Sequence, residues 1–397
     1  MSSIVIRKTC IYGCVLAVCC GFTAESACVQ EVLSNVLTLE LTIGGESYFG
    51  RDEFIPVSPG AIAVNDNGDI LVYDEDKIKV FSADGDEKYI FGGTGQGPGE
   101  FERPRFPAMS IGEGGYLAVL KNETCHFFSP DYEFSSRVRI SSEKRYRELR
   151  LKENFPMHRI EEVCFHGIDS ESFVFMFQGQ ANSDAQKFDL FMYCSLDTLA
   201  VLNKWPRTSY IRGTSLDSPV LGRLLSAALP GRSVVYTHAG HNYRIEDDRA
   251  DYTLRLIDLD TFSERLLVHS YEPVQIPDEV IDEFRGGLWR GKSGEIVRNA
   301  YERKKFYSPV KNLKTDGNVI FAFTYETKNN EEIRAELFDA ETRTYLRSVW
   351  FPDWLANQPM SRNQSIFRDG YVYRISSGSR EFATIRKYKV NPRVYAR

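Results

Sequence analysis

Residues Ala61–Glu87 (AIAVNDNGDILVYDEDKIKVFSADGDE) align without a gap onto Ala108–Phe134 (AMSIGEGGYLAVLKNETCHFFSPDYEF). Ala61/Ala108, Gly68/Gly115, Val72/Val119, Phe81/Phe128, Ser82/Ser129 and Asp84/Asp131 are identical across an offset of 47 residues (108 − 61). Most other pairs keep their apolar or polar character. In the first copy Ala61–Val64 is a short apolar run and Asn65–Asp69 is a tight turn, since Asn and Gly accept the positive φ of a hairpin. Ile70–Tyr73 is the second strand. Ile78, Val80 and Phe81 belong to the third, and Lys88–Phe91 forms the fourth. A period of about 40–50 residues built from short strands reads as propeller blades.

The pattern recurs with drift along the chain. A third copy spans Arg159–Leu199, a fourth Arg232–Leu267 with its first strand at Ser233–His238, a fifth Val310–Val349 and a sixth Ile366–Val390. The sixth lacks an outer strand, which Val36–Ile43 (VLTLELTI) is placed to supply. Closing the ring in that way removes an exposed sheet edge. The expected fold is all-β, a six-bladed β-propeller with short helical insertions. It occupies residues 36–391 as one domain behind a leader at 1–26.

The stretch FGGTGQGPGEFERPRFPAMSIGEGGYLAVLKNETCHFFSPDYEF (Phe91–Phe134) resembles the NHL-type repeats of six-bladed propellers. A Gly-rich link leads to Phe-x-x-Pro, an apolar strand, a Gly turn and a second strand. Tyr132 stands where that family usually has Gly. The likeness is specific over the first two copies. It implies a recognition platform or, in some members, a hydrolase or lyase with an axial metal such as calcium.

Two stretches break the strand rhythm. Ser215–Pro230 carries Leu221, Leu224 and Leu225 at helical spacing. Pro277–Phe306 reads as two helices divided near Gly286-Gly287, with Pro277 and Asp278-Glu279 suited to a helix start. Both are expected as helical insertions, either packed on the propeller or lying over its channel. Gly286–Ser293 (GGLWRGKS) matches GxxxxGK[ST], but an acidic, helix-patterned segment precedes it instead of a strand, so no nucleotide site is expected.

Aromatics at 13%, including 26 Phe and 21 Tyr, suit a β-rich chain of 397 residues. The net charge of −6 gives a nucleic-acid partner no electrostatic support. Arg7-Lys8, apolar Thr9–Phe22 and Ala24-Glu25-Ser26 form a secretory leader pattern too short to span a bilayer. Export to a periplasmic, extracellular or envelope location follows, with no later spanning segment. Leu16–Cys19 leaves lipid anchoring as a variant. Of eight Cys, Cys28, Cys125, Cys164 and Cys194 lie beyond the leader. They fit no zinc or redox spacing, and Cys164–Cys194 is a possible pair alongside buried thiols.

No GxSxG or other catalytic signature is present, and no cofactor or metal is expected. His238-x-x-His241 could chelate a metal only from a hairpin loop, because residues three apart on a strand face opposite ways. The Asn65–Asp69 turn has oxygens that could suit calcium but reads first as a plain turn. The links into the innermost strands carry Arg103, Arg105, His158, Arg159, Lys311 and Arg362. These are candidate ligands for an anionic small molecule, glycan or peptide at the axial mouth. The plain alternative is that exposed links simply carry charge. A monomer that binds such a ligand, or an envelope protein, is the first functional expectation, and the metal-dependent hydrolase or lyase is the second. Axial Asp, Glu and Asn would favour the enzyme, and axial Arg and Lys the binder.

Overall fold

The computed structural model describes the backbone of residues 32–45, 50–101, 107–121, 124–140, 157–181, 186–207, 222–246, 249–285, 305–357, 364–376 and 382–396. The leader, the GGLWRGKS motif and Leu221 lie outside these residues.

The alternation seen in the sequence becomes antiparallel strands. β1 (Leu37–Gly44) comes first, and six blades follow. Blade 1 is β2 (Pro59–Val64), β3 (Ile70–Asp74), β4 (Lys77–Phe81) and β5 (Glu87–Gly92). Blade 2 is β6 (Ala108–Ile111), β7 (Leu117–Lys121), β8 (Thr124–Phe128) and β9 (Phe134–Arg139). Blade 3 is β10 (Met157–Gly167), β11 (Ser172–Ala181), β12 (Gln186–Ser195) and β13 (Leu199–Arg207). Blade 4 is β14 (Leu224–Leu229), β15 (Ser233–His238), β16 (Tyr243–Glu246), β17 (Arg249–Asp258) and β18 (Glu264–Ser270). Blade 5 is β19 (Asn312–Asp316), β20 (Val319–Lys328), β21 (Glu332–Asp339) and β22 (Thr344–Pro352). Blade 6 is β23 (Ser365–Arg368), β24 (Tyr371–Ser376) and β25 (Thr384–Val390).

β1 completes blade 6. It pairs antiparallel with β25 from Leu37↔Val390 to Gly44↔Thr384, so the chain's two ends close one sheet. The innermost strands β2, β6, β10, β14, β19 and β23 touch in that order and return to β2, which makes a ring. Between each pair of neighbouring blades lies a separate apolar core. Val72 and Ile375 share the one that joins blades 6 and 1, and Val119 and Tyr73 share the next. Burying both faces of each sheet explains strands such as β2, β3 and β7, in which every residue is buried.

Turn chemistry follows the repeat. The Asn65 side-chain oxygen accepts from the backbone N–H groups of Asn67 (3.0 Å) and Asp69 (2.9 Å), and Gly68 takes φ +79°. Gly85 has φ +91°, and its counterpart one repeat later is Tyr132 at φ +66°. Its hydroxyl donates to Asp69 at 2.6 Å and its ring stacks 5.6 Å from Phe91, which offsets an unfavourable backbone with tertiary contacts. Phe101, from the Phe-x-x-Pro motif, is fully buried against Tyr73 and Phe128.

One expectation is corrected. Within Ser215–Pro230, residues Leu224–Leu229 form β14, the inner strand of blade 4, and not a helix. Leu224 enters the core shared with blade 3 and Leu225 the core shared with blade 5. Adjacent residues on a strand face opposite ways, so both leucines are buried, and the helical spacing is coincidental. Ser233–His238 is therefore the second strand of its blade. In the other insertion, α1 (Asp278–Arg285) begins directly after Pro277, as expected.

Candidate functional site

The six inner strands enclose an axial cavity of about 470 Å³. At the end where the inner strands turn into their hairpins, three carboxylates are engaged and exposed Glu113 also lines the cavity. Asp66 pairs with Arg368, and Asp169 pairs with Arg232. The Asp316 carboxylate accepts from the N–H groups of Asp369 (2.7 Å) and Gly370 (2.8 Å) and from the Tyr395 hydroxyl (2.6 Å).

Deeper in the cavity the wall is built differently. Lys314, the third residue of β19, sends its ammonium across to the Ser365 carbonyl of blade 6 at 2.9 Å. Arg223, just before β14, donates to the Lys311 carbonyl of blade 5 at 3.1 Å. His166 Nε2 lies 2.9 Å from the Ser226 hydroxyl, linking blades 3 and 4. All four side chains line the cavity and are half-buried. Burial, with Arg223 close by, pushes Lys314 down to about 8. Burial pushes His166 down to about 4, and nearby Lys314 adds to the effect. The imidazole is therefore neutral at pH 7.

Blades 1 and 2 face blades 4 and 5 across the ring. They contribute Ile62–Val64 and Met109–Ile111, with the Ile62, Val64 and Met109 side chains buried in the cores between blades, and Asp66 and Glu113 from the hairpins. The cations Lys314 and Arg223 thus stand on the side opposite Asp66 and Glu113.

The sequence-derived candidates distribute as follows. Arg103, Arg105 and Arg362 lie outside the described residues. His158 and Arg159 begin β10, of which the backbone alone is described there. Lys311 precedes β19. Its ammonium bonds the Asn357 side chain and lies 5.3 Å from the Tyr325 ring centroid, and it is not among the cavity-lining residues. Lys314, Arg223 and His166 escaped the sequence reading for specific reasons. β19 is short and half polar and carries no apolar inner-strand pattern, and Arg223 lies inside the expected helix. The available signal was a lysine where the aligned inner strands carry Ile62, Met109 and Ile366.

Two further candidate sites resolve. His238 closes β15 and His241 lies in the following turn, their rings 4.5 Å apart. His238 Nε2 faces buried Asp189 at 3.1 Å, and its Nδ1 accepts from Gly240 N–H at 3.2 Å. Both ring nitrogens are thus committed within the protein. In the Asn65–Asp69 turn, the Asp69 carboxylate binds Lys88 at 2.7 Å in addition to Tyr132, which leaves the turn structural. Among the described residues no cluster of three or more His, Cys, Asp or Glu could hold a metal. Cys125 and Cys194 are both buried in the core between blades 2 and 3. The Cys164 side chain lies outside the described set.

No family model matches the chain, and no curated protein matches it. Among solved structures, a Bacteroides fragilis protein to which export has been ascribed aligns at 12% identity and TM-score 0.46, covering 91% of this chain and 97% of its own. The Neurospora crassa Pan2 WD40 domain aligns at 9% identity and TM-score 0.36, covering 90% and 96%. The Dos1 propeller aligns at 8% identity and TM-score 0.36, covering 84% and 78%. At these values the likeness carries no functional information, and the six-bladed architecture rests on this chain's own sheets. Among the described residues no helix is long and apolar enough to cross a membrane.

Proposed function

We propose that this chain is an exported binding propeller that takes its ligand in the axial channel. One observation carries the reading: Lys314 and Arg223 stand at the channel's interior, where a calcium-type hydrolase or lyase would need oxygen ligands. At the hairpin mouth Asp66, Asp169 and Asp316 are held by Arg368, Arg232, Tyr395 and backbone N–H groups, and Glu113 is an exposed carboxylate beside them. The link cations Arg103, Arg105, His158, Arg159, Lys311 and Arg362 would extend the positive field to the opposite mouth. The leader pattern ending near Ser26 supports export, with lipid anchoring at Cys19 as a variant. The NHL-like character of Phe91–Phe134 fits a recognition platform, and an envelope protein contacting the helical insertion is a second class of partner.

Thermal unfolding with excess EDTA and then with calcium tests the choice. A specific ion at about 100 times its Kd adds roughly 2.7 kcal/mol. The binding reading expects the Tm to stay unchanged, and a rise of several degrees with calcium would transfer the chain to the metal-dependent class. The double variant Arg105→Ala, Arg159→Ala tests the link ring, because unchanged anion affinity removes those two residues from the site.

A further inference from the structure

We infer that the channel binds a small organic anion, its oxyanion head against Lys314 and Arg223. This rests on the binding reading above and names its ligand class.

Three observations support it. First, Lys314 is a cation without a carboxylate partner among the described residues. An ammonium has three donors, and the bond to Ser365 O uses one. Its charged neighbour is another cation, Arg223. An ionised group taken from water without a counterion is strongly disfavoured. The two fully buried lysines of the blades never stand this way: Lys79 meets Asp74 at 2.6 Å and Lys121 meets Asp76 at 3.0 Å. Second, the polar groups converge. The Ser226 hydroxyl and the His166 ring lie in the same wall, so an oxyanion would find neutral hydrogen-bonding groups beside the cations. Third, the carboxylates of the lining, Asp66 and Glu113, stand on the opposite hairpins, so an anion is favoured on the Lys314 side, and half-buried Ile111 gives its body an apolar contact. A volume of about 470 Å³ admits such a molecule.

The test uses the full chain with hexanoate, hexanamide and inorganic phosphate as probes, by calorimetry and thermal unfolding at pH 7. Hexanoate is expected to bind and raise the Tm, hexanamide and phosphate to bind at least about tenfold more weakly (roughly 1.4 kcal/mol per decade). Lys314→Met should lose hexanoate binding while raising the ligand-free Tm, because it removes an uncompensated charge. If Lys314→Met does not fold, Arg223→Gln is read in its place for loss of hexanoate affinity. Equal binding of hexanamide overturns the anion inference and leaves the binding reading standing. Equal binding of phosphate overturns the organic half. Hexanoate binding that survives Lys314→Met puts the ligand elsewhere and overturns the site. No binding of any probe, with a lowered Tm in Lys314→Met, makes Lys314 a structural donor and ends the inference. A calcium response in the EDTA experiment would instead remove the binding reading itself.

Discussion

The faces of blade 1 and the axial channel both bury lysine, and they treat it in opposite ways. In the blades each ammonium is neutralised by a carboxylate and makes a second hydrogen bond. Lys79 donates to Asp74 and to the Ile55 carbonyl at 2.7 Å, while Asp74 also accepts from Val57 and Ser58 N–H at 3.0 and 2.6 Å. Lys121 donates to the Tyr73 hydroxyl at 2.7 Å and to Asp76, and lies 5.4 Å from the Phe101 ring centroid. Burial alone would raise the Asp76 pKa, but hydrogen bonds from Tyr73, Thr94 and Lys121 bring it below the usual carboxylate value. In the channel, Lys314 has a carbonyl and a cationic neighbour. A neutralised pair holds a fold together. An unsaturated cation in a cavity keeps bonding capacity for something that arrives.

The largest effect expected from this contrast is Asp74→Ala. It strands Lys79 at 3% side-chain exposure and should cost about 3–5 kcal/mol, measured by denaturant unfolding. A loss under about 1 kcal/mol would mean that the blade pair contributes little. Lys314→Met should have the opposite sign and raise the ligand-free Tm by about 2 °C or more. A fall would place Lys314 with the structural lysines.

The pH dependence separates the two regions further. Lys314 has a folded pKa near 8, below the ordinary lysine value of 10.5. Between those values the unfolded chain binds more protons, so stability from this residue rises with pH across that window. The rise should be absent in Lys314→Met. Anion affinity should fall over the same window as the ammonium is lost, with His166 neutral throughout. At the acid end, burial holds His126 and His166 near 4 against an ordinary 6.5. Their stabilising effect is complete above pH 6.5 and is lost as pH falls towards 4. His126→Gln and His166→Gln should each flatten that acid limb in urea titrations, and an unchanged limb would exclude both as its source.

The smallest effect belongs to the blade contacts that involve no buried charge. Tyr132→Phe keeps the ring stack on Phe91 but loses the bonds to Asp69 and Asn65. It should cost about 1 kcal/mol. No loss would show that stacking alone offsets the positive φ.

Much of the architecture was readable because a propeller blade is a local unit. Ala61–Glu87 and Ala108–Phe134 carry their own turns and alternation, and Val36–Ile43 was readable as the closing strand because one blade lacked an edge. The inner strand of blade 4 was misread because Leu224 and Leu225 fit a helical stripe as well as they fit two opposing cores. The choice between those readings is made by neighbouring blades, which a local pattern does not contain.

The repeat period, the turn residues and the strand-deficient last copy determined by themselves that this chain forms a closed ring of six sheets. They could do so because hydrogen-bonding partners within a blade are near in sequence. Which cations share the channel was decided only by the tertiary structure. Lys314, Arg223 and His166 stand on three different blades, and closure of the ring alone brings them to one axis and separates Lys314 from every described carboxylate.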